Sequence, residues 1–321
     1  MKILVIGATG QIGSELVPEL RERYGKENVI AASRRAKKLT KLGEPFEVLD
    51  ILDKERLDQI VKEHDIDVIY HLAAILSAKG EQNPQLCFKV NIDGLYNVLE
   101  TARENNVEKV IIPSSIAAFG PETPDNPGEI TIQRPKTMYG ISKVLAELLG
   151  EYYYNKYGVD VRGVRFPGII SWKTEPGGGT TDYAVEAFYA AIQKGHYTYF
   201  VRKDTVLPMM YMPDALKALI QIAEAEPSQL RYRFYNVTGM SFSAEELTKV
   251  IQKFIPDFTA DYKPDERQKI ADSWPTRIDD SAAREDWNWK PDWDLERMAR
   301  DMIENLSKKL RGGSYGKARL D

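Results

Sequence analysis

The 321 residues carry 44 basic and 48 acidic side chains, and the net charge of -4 argues against a nucleic-acid surface while the length suits one large domain or two. One cysteine, Cys87, leaves no internal disulfide and fits a reducing compartment; the histidines His64, His71 and His196 are scattered without metal-ligand spacing, so no metal is expected. No stretch approaches bilayer length and the start is too short for a secretory signal, so the expectation is a cytoplasmic chain without membrane or nucleic-acid partners.

The first element is the apolar run Ile3–Ile6, which reads as a buried strand. It breaks into Gly7, Gly10 and Gly13 and is followed by a helical pattern over Ser14–Arg23. Glycines at such a junction allow a tight turn and close approach of backbone to ligand, while the new helix offers free N–H groups and its positive end to a pyrophosphate. The spacing G-x-x-G-x-x-G differs from the common dinucleotide fingerprint, so the surrounding pattern has to support it. It does: Val29–Ala32, Glu47–Leu49, Val68–Leu72, Val110–Pro113 and Val161–Arg165 follow as strand-like runs separated by helical segments. This alternation predicts an α/β fold of Rossmann type, a doubly wound parallel sheet over residues 1–165. Ligands of such sheets bind beyond the carboxyl ends of the strands. Beyond about residue 166 the rhythm loosens, and helical stretches at Tyr183–Lys194, Asp214–Ala225, Ala244–Phe254 and Asp294–Leu310 predict a smaller substrate lobe, 166–311, interleaved with the first. The tail 312–321 reads as flexible.

Tyr139 and Lys143 lie four residues apart in a helical pattern that begins near Thr137, which places them on one face. Tyr152 with Lys156 and Tyr199 with Lys203 have the same spacing, but Tyr139 alone has an upstream partner, Ser115, directly after a predicted strand. Taking a proton from an alcohol near neutral pH needs a base, and tyrosine ordinarily titrates near 10. A shift of about three units corresponds to about 4 kcal/mol, which one unit charge at about 4 Å supplies at an effective dielectric near 20. Lys143, assisted by a positively charged nicotinamide, is therefore expected to hold Tyr139 as a phenolate, with Ser115 donating to the reacting oxygen.

Gly7, Gly10 and Gly13 together with Leu72-Ala73-Ala74, Asn91, Ser115, Tyr139 and Lys143 resemble the extended short-chain dehydrogenase/reductase superfamily. Five further segments, 133–139, 165–171, 176–184, 207–214 and 273–280, resemble the short-chain type of L-threonine 3-dehydrogenases, nearly end to end. The resemblance implies oxidation of the threonine hydroxyl to 2-amino-3-oxobutanoate with hydride transfer to NAD, the family default, by a homodimer. It also implies a cofactor site that includes Gln11, Ile12, Asp50, Ile51, Leu72, Ala73, Ala74, Asn91, Pro167 and Ile169 beside the glycines, Tyr139 and Lys143. A sugar-nucleotide epimerase or dehydratase of the same superfamily, and a nicotinamide-binding regulator without turnover, are the alternatives.

Threonine is a zwitterion, so its site needs an anion holder and a cation holder. The segment Gly177–Asp182 precedes the helical pattern at Tyr183, where free N–H groups near Gly179 and Thr180 are placed to hold the carboxylate and Asp182 to face the ammonium. Thr180, Thr181 or Asp182 would equally serve as a helix cap. Ser77 is a second candidate for the substrate site; Met209, Met210 and Trp274 are candidates for its wall or for the core. One departure from the family pattern bears on the cofactor. The second strand ends Ser33-Arg34-Arg35, with no carboxylate for the adenosine ribose and two guanidiniums suited to a 2′-phosphate, which favours NADP.

Overall fold

The computed structural model describes residues 1–312. Thirteen strands occur among them: β1 (Ile3–Ile6), β2 (Val29–Ser33), β3 (Phe46–Val48), β4 (Val68–His71), β5 (Lys109–Ile111), β6 (Ser114–Ser115), β7 (Asp160–Phe166), β8 (Gly168–Ile170), β9 (His196–Tyr199), β10 (Val206–Tyr211), β11 (Phe234–Asn236), β12 (Met240–Ser243) and β13 (Thr259–Tyr262). The principal sheet runs β3-β2-β1-β4-β5-β7-β11, with β6 also paired to β7, and every pairing is parallel. From β1 the chain builds outward through β2 and β3, then returns to the other side of β1 with β4. That reversal opens a crevice above β1 and β4, the place where a doubly wound sheet takes its ligand.

The strands are apolar on both faces because both are covered. On one face Leu16, Val17 and Leu20 of helix Gly13–Tyr24 pack with Leu219 and Ile222 of helix Met212–Glu224. On the other, Leu57 and Ile60 of helix Lys54–Glu63 join Val98 and Leu99 of helix Gly94–Glu104 and Ala146 of helix Met138–Tyr157. A third core gathers Phe188, Tyr199, Phe242, Leu247 and Met302 around the small sheet β8-β10-β12 and the pair β9-β13. The sequence pattern predicts the helices of this region but not these strands.

Predicted boundaries hold to within a few residues, with one instructive difference. The run expected at Val110–Pro113 pairs only as far as Ile111, because proline has no N–H to give the ladder; pairing resumes at Ser114–Ser115, now against β7. Tyr199 and Lys203 do not share a helix face: Tyr199 lies in β9, fully buried and stacked on Tyr262 with ring centroids 5.2 Å apart. The expected tail falls outside the described residues except for Gly312, which ends helix Leu295–Gly312. No helix among the described residues is long and apolar enough to cross a membrane, and among them no cluster of three His, Cys, Asp or Glu side chains is arranged to hold a metal.

Candidate active site

The loop after β1 turns back on itself, the Gly10 N–H donating to the Gly7 carbonyl at 2.9 Å. Gly7 has φ of +85°, and a Cβ there would sit 2.7 Å from the Ala73 nitrogen; a Cβ on Gly13 would sit 2.4 Å from the Gly7 oxygen. Side chains at either position would close the gap between β1, β4 and the first helix, so backbone is left facing the crevice. This cradle fits the pyrophosphate of a dinucleotide.

The cleft beside it is lined by Gln11 and Ile12 after β1, Leu72, Ala73, Ala74 and Ser77 after β4, Asn91, Ser115, Tyr139 and Lys143, Pro167 and Ile169 after β7, and Gly179, Thr180 and Asp182. Residues assigned from distant parts of the sequence thus meet at one place. Ser33, Arg34, Arg35, Asp50 and Ile51 lie apart from it, at the ends of β2 and β3. There the Ser33 hydroxyl is 2.7 Å from that of Thr9 in the glycine loop, and Arg34 is a loose, exposed ion pair with Asp50 at 3.7 Å. Trp274 lines the cleft, whereas Met209 and Met210 are fully buried core, Met209 lying directly behind Gly168.

Helix Met138–Tyr157 begins at Thr137, whose hydroxyl accepts the Gly140 N–H at 3.0 Å, a cap that fixes where its first turns point. Tyr139 and Lys143 project into the cleft together, the Lys143 Nζ 5.4 Å from the Tyr139 ring centre. Burial pushes the Tyr139 phenol up to about 12, and the Ser115 hydroxyl pulls it partly back. The same burial brings the Lys143 ammonium down to about 8. Lys143 donates to the Pro113 carbonyl at 2.7 Å. In the chain by itself burial dominates the phenol and the Lys143 ammonium is committed to a carbonyl; the expectation that Lys143 holds a phenolate concerns the site with a positively charged nicotinamide in place.

Asn91 lies on a π-helical turn and braces the loop after β4. Its oxygen accepts the Ile75 N–H at 2.8 Å, and its nitrogen donates to the Ile75 carbonyl at 3.0 Å and to Ser142 at 3.1 Å. In the glycine-rich segment the Asp182 carboxylate accepts the N–H groups of Gly178 and Gly179 at 2.7 and 2.8 Å. The Gly179 amide expected to meet a substrate carboxylate is thus taken by the chain's own, and Asp182 makes no side-chain cap for helix Tyr183–Lys194. The Thr180 hydroxyl, by contrast, is buried against the cleft with no partner among the described residues. A buried hydroxyl without a partner is costly, and a ligand that accepts from it removes the cost.

Three groups escaped sequence reasoning. His71, at the end of β4, lines the cleft with its Nδ1 buried and unpartnered, and burial followed by the nearby Lys143 charge lowers it to about 3, so it is neutral. Ser114 and Glu147 share a buried hydrogen bond behind Ser115. Ser114 directly follows the expected strand Val110–Pro113 and precedes Ser115, so its place was legible though its role was not; His71 is itself the last residue of β4, and Glu147 carried no signal beyond its helical spacing from Lys143.

Residues 3–238 match the model of the NAD dependent epimerase/dehydratase family. An uncharacterized epimerase/dehydratase of Staphylococcus aureus (strain NCTC 8325 / PS 47) is 47% identical over 313 residues, covering 96% of this chain and 97% of the relative. The crystal structure of L-threonine dehydrogenase from Phytophthora infestans superposes with a TM-score of 0.94 at 51% identity, covering 97% of this chain and all of that one. That of L-threonine dehydrogenase from Clostridium difficile gives 0.93 at 50% identity, with 96% and 98% covered. With a glycine cradle, a Ser115–Tyr139–Lys143 cleft and a family match over most of its length, the chain belongs to the NAD dependent epimerase/dehydratase family.

Proposed function

We propose that this chain is an L-threonine 3-dehydrogenase that uses a nicotinamide dinucleotide. The observation that carries the reading is the meeting, in one cleft, of Ser115, Tyr139 and Lys143 with the Gly179–Asp182 segment. Residues 1–165 hold the dinucleotide on the glycine cradle, and residues 166–311 complete the substrate side. The oxidised nicotinamide supplies the hydride acceptor and a positive charge.

Ser115 donates to the substrate hydroxyl and orients it. Tyr139 takes the hydroxyl proton on its phenol oxygen, the C–H hydrogen leaves as hydride, and the carbon becomes the ketone of 2-amino-3-oxobutanoate. Lys143 would hold the cofactor ribose through its remaining N–H donors and add its charge beside the phenolate. The Thr180 hydroxyl donates to the substrate carboxylate, and the Asp182 oxygen not held by the glycine amides faces the ammonium; Ser77 closes the pocket. An absorbance assay at about 340 nm with L-threonine and each cofactor tests this. Reduction with neither cofactor, together with turnover of a nucleotide sugar, would move the assignment to the epimerase chemistry of the family.

The adenosine end favours NADP: Ser33 supports the reading as a hydroxyl at the strand end, and Arg34 and Arg35 as exposed guanidiniums beside it. Replacement Arg34→Asp is expected to lower the NADP/NAD ratio of kcat/KM by at least about tenfold, the weight of one charge-assisted contact. An unchanged ratio would restore NAD as the preferred cofactor. The protein acts in the cytoplasm as a homodimer, joined through an apolar face that is open to solvent. Leu148, Tyr152 and Ile141 of helix Met138–Tyr157 and Tyr96 of helix Gly94–Glu104 are 57%, 50%, 47% and 50% exposed. Their spacing along the longer helix makes one stripe, and a second copy is the occupant that a two-fold pairing of such a stripe would bring.

A further inference from the structure

Three consecutive turns of helix Met138–Tyr157 engage three consecutive residues of the strand end. Tyr139 faces the same cleft as Ser115, Lys143 donates to the Pro113 carbonyl, and the Glu147 carboxylate accepts from the Ser114 hydroxyl. Of these three helix side chains, Tyr139 and Lys143 reach the cleft and Glu147 does not. Glu147 is 3% exposed, behind the cleft, and it gathers more than Ser114: Arg165 donates to it from Nε at 2.9 Å and from Nη2 at 2.7 Å, and Gln133 at 2.8 Å. Arg165 in turn donates to the Glu129 carbonyl at 3.0 Å and to Asn236 at 3.2 Å, and it immediately precedes Phe166 and Pro167, which line the cleft.

We propose that Glu147 is a positioning residue for the dehydrogenase reaction, a buried clamp that locks the Ser114–Ser115 strand end to the catalytic helix and so fixes the separation of the Ser115 and Tyr139 oxygens. The inference rests on the assignment of Ser115 and Tyr139 as the reacting pair. A carboxylate suits the task because it accepts from several donors at once, and its pairing with Arg165 satisfies both buried charges. It also opposes the loss of the Lys143 proton, being the largest favourable charge near that ammonium. The other titratable groups facing Lys143 are Tyr139 on the same helix, neutral His71 at the end of β4, and Cys87 on helix Pro84–Phe88, whose thiol burial pushes up.

Two variants test the clamp in the full-length protein. Ser114→Ala removes the strand half without stranding a charge; Glu147→Gln keeps the shape but loses the carboxylate. In both, kcat for threonine is expected to fall about tenfold or more with KM for threonine and cofactor within about twofold, since misplacing the hydroxyl donor costs the transition state and not ground-state binding. A second readout is independent of the substrate. The Ala117 N–H donates to the Ser115 hydroxyl at 3.1 Å, so amide exchange at Ala117 reports how firmly that strand end is held. It is expected to quicken at least about tenfold in Ser114→Ala, with the rest of the principal sheet protected as before. Unchanged Ala117 exchange in folded Ser114→Ala overturns the proposal whether or not threonine is oxidised, and so does an unchanged kcat. Quickened exchange in an enzyme with no threonine activity overturns the substrate assignment and leaves the clamp standing.

Discussion

As the proposed base, Tyr139 would start from the wrong side of its working range, because burial holds its phenol at about 12. A unit positive charge about 4 Å away at an effective dielectric near 20 contributes about 4 kcal/mol, or about three pKa units, which would bring the phenol to about 9. The oxidised nicotinamide brings such a charge; the reduced ring is neutral. By linkage, a ligand that lowers a pKa from about 12 to about 9 prefers the deprotonated form and releases a proton on binding between those limits. The sign follows: affinity for the oxidised cofactor rises with pH in that window and is flat below it. From about pH 8 to about pH 10 the dissociation constant is expected to fall about tenfold in the wild type. Calorimetric or fluorescence titration of the wild type and of Tyr139→Phe, with oxidised and reduced cofactor, isolates this contribution from the titration of Lys143. The same pH dependence in wild type and Tyr139→Phe would refute the reasoning, because then the phenol takes no part in the linkage.

Replacing Thr180 by Val removes a buried hydroxyl that has no partner among the described residues. Stability is expected to stay level or rise by up to about 1 kcal/mol in thermal melts, while KM for threonine rises about tenfold; a KM that does not move would remove Thr180 from the carboxylate site. The Arg162 guanidinium is fully buried, paired with Asp160 at 2.6 Å and donating to the Ile222 carbonyl at 2.9 Å, so Arg162→Met is expected to cost about 3 kcal/mol or more in denaturant unfolding. A loss below about 1 kcal/mol would mean that water replaces those contacts. Leu148→Glu places a charge in the middle of the exposed stripe and is expected to yield monomers in analytical ultracentrifugation with the monomer fold retained. A wild type that is itself monomeric would contradict the pairing.

The architecture was readable because β1 to β5 and β7 of the principal sheet are short apolar runs flanked by helical spacing, and a parallel sheet covered on both faces demands that pattern; the edge strand β11, three residues long, went unread. β8, β10 and β12 were not readable either, since Gly168–Ile170 is only three residues and Val206–Tyr211 carries a proline, giving no period long enough to distinguish strand from loop. Among the candidate site residues, Ser115, Tyr139 and Lys143 could be assembled in advance because strand ends and one helix face are geometric consequences of the fold. Asp182 could not: an acidic side chain before a helix can cap it, bind a ligand or fold back, and only the loop's turn decides that it accepts from Gly178 and Gly179. Glu147 was equally opaque. Four residues after Lys143, it had the spacing of an ordinary surface ion pair, and its burial depends on Arg165 arriving from a strand 18 positions later.

The Gly177–Asp182 segment takes its shape from within. Its bend is held by one carboxylate on two of its own amides, and Gly177 and Gly178 face open space. Tyr139, Lys143 and Ser115 depend on none of those bonds. Under the proposed assignment, the segment that meets the substrate is separable from the proton-transfer residues, and exchanging these six residues for the equivalent stretch of a relative is a route to new alcohols that leaves those residues in place.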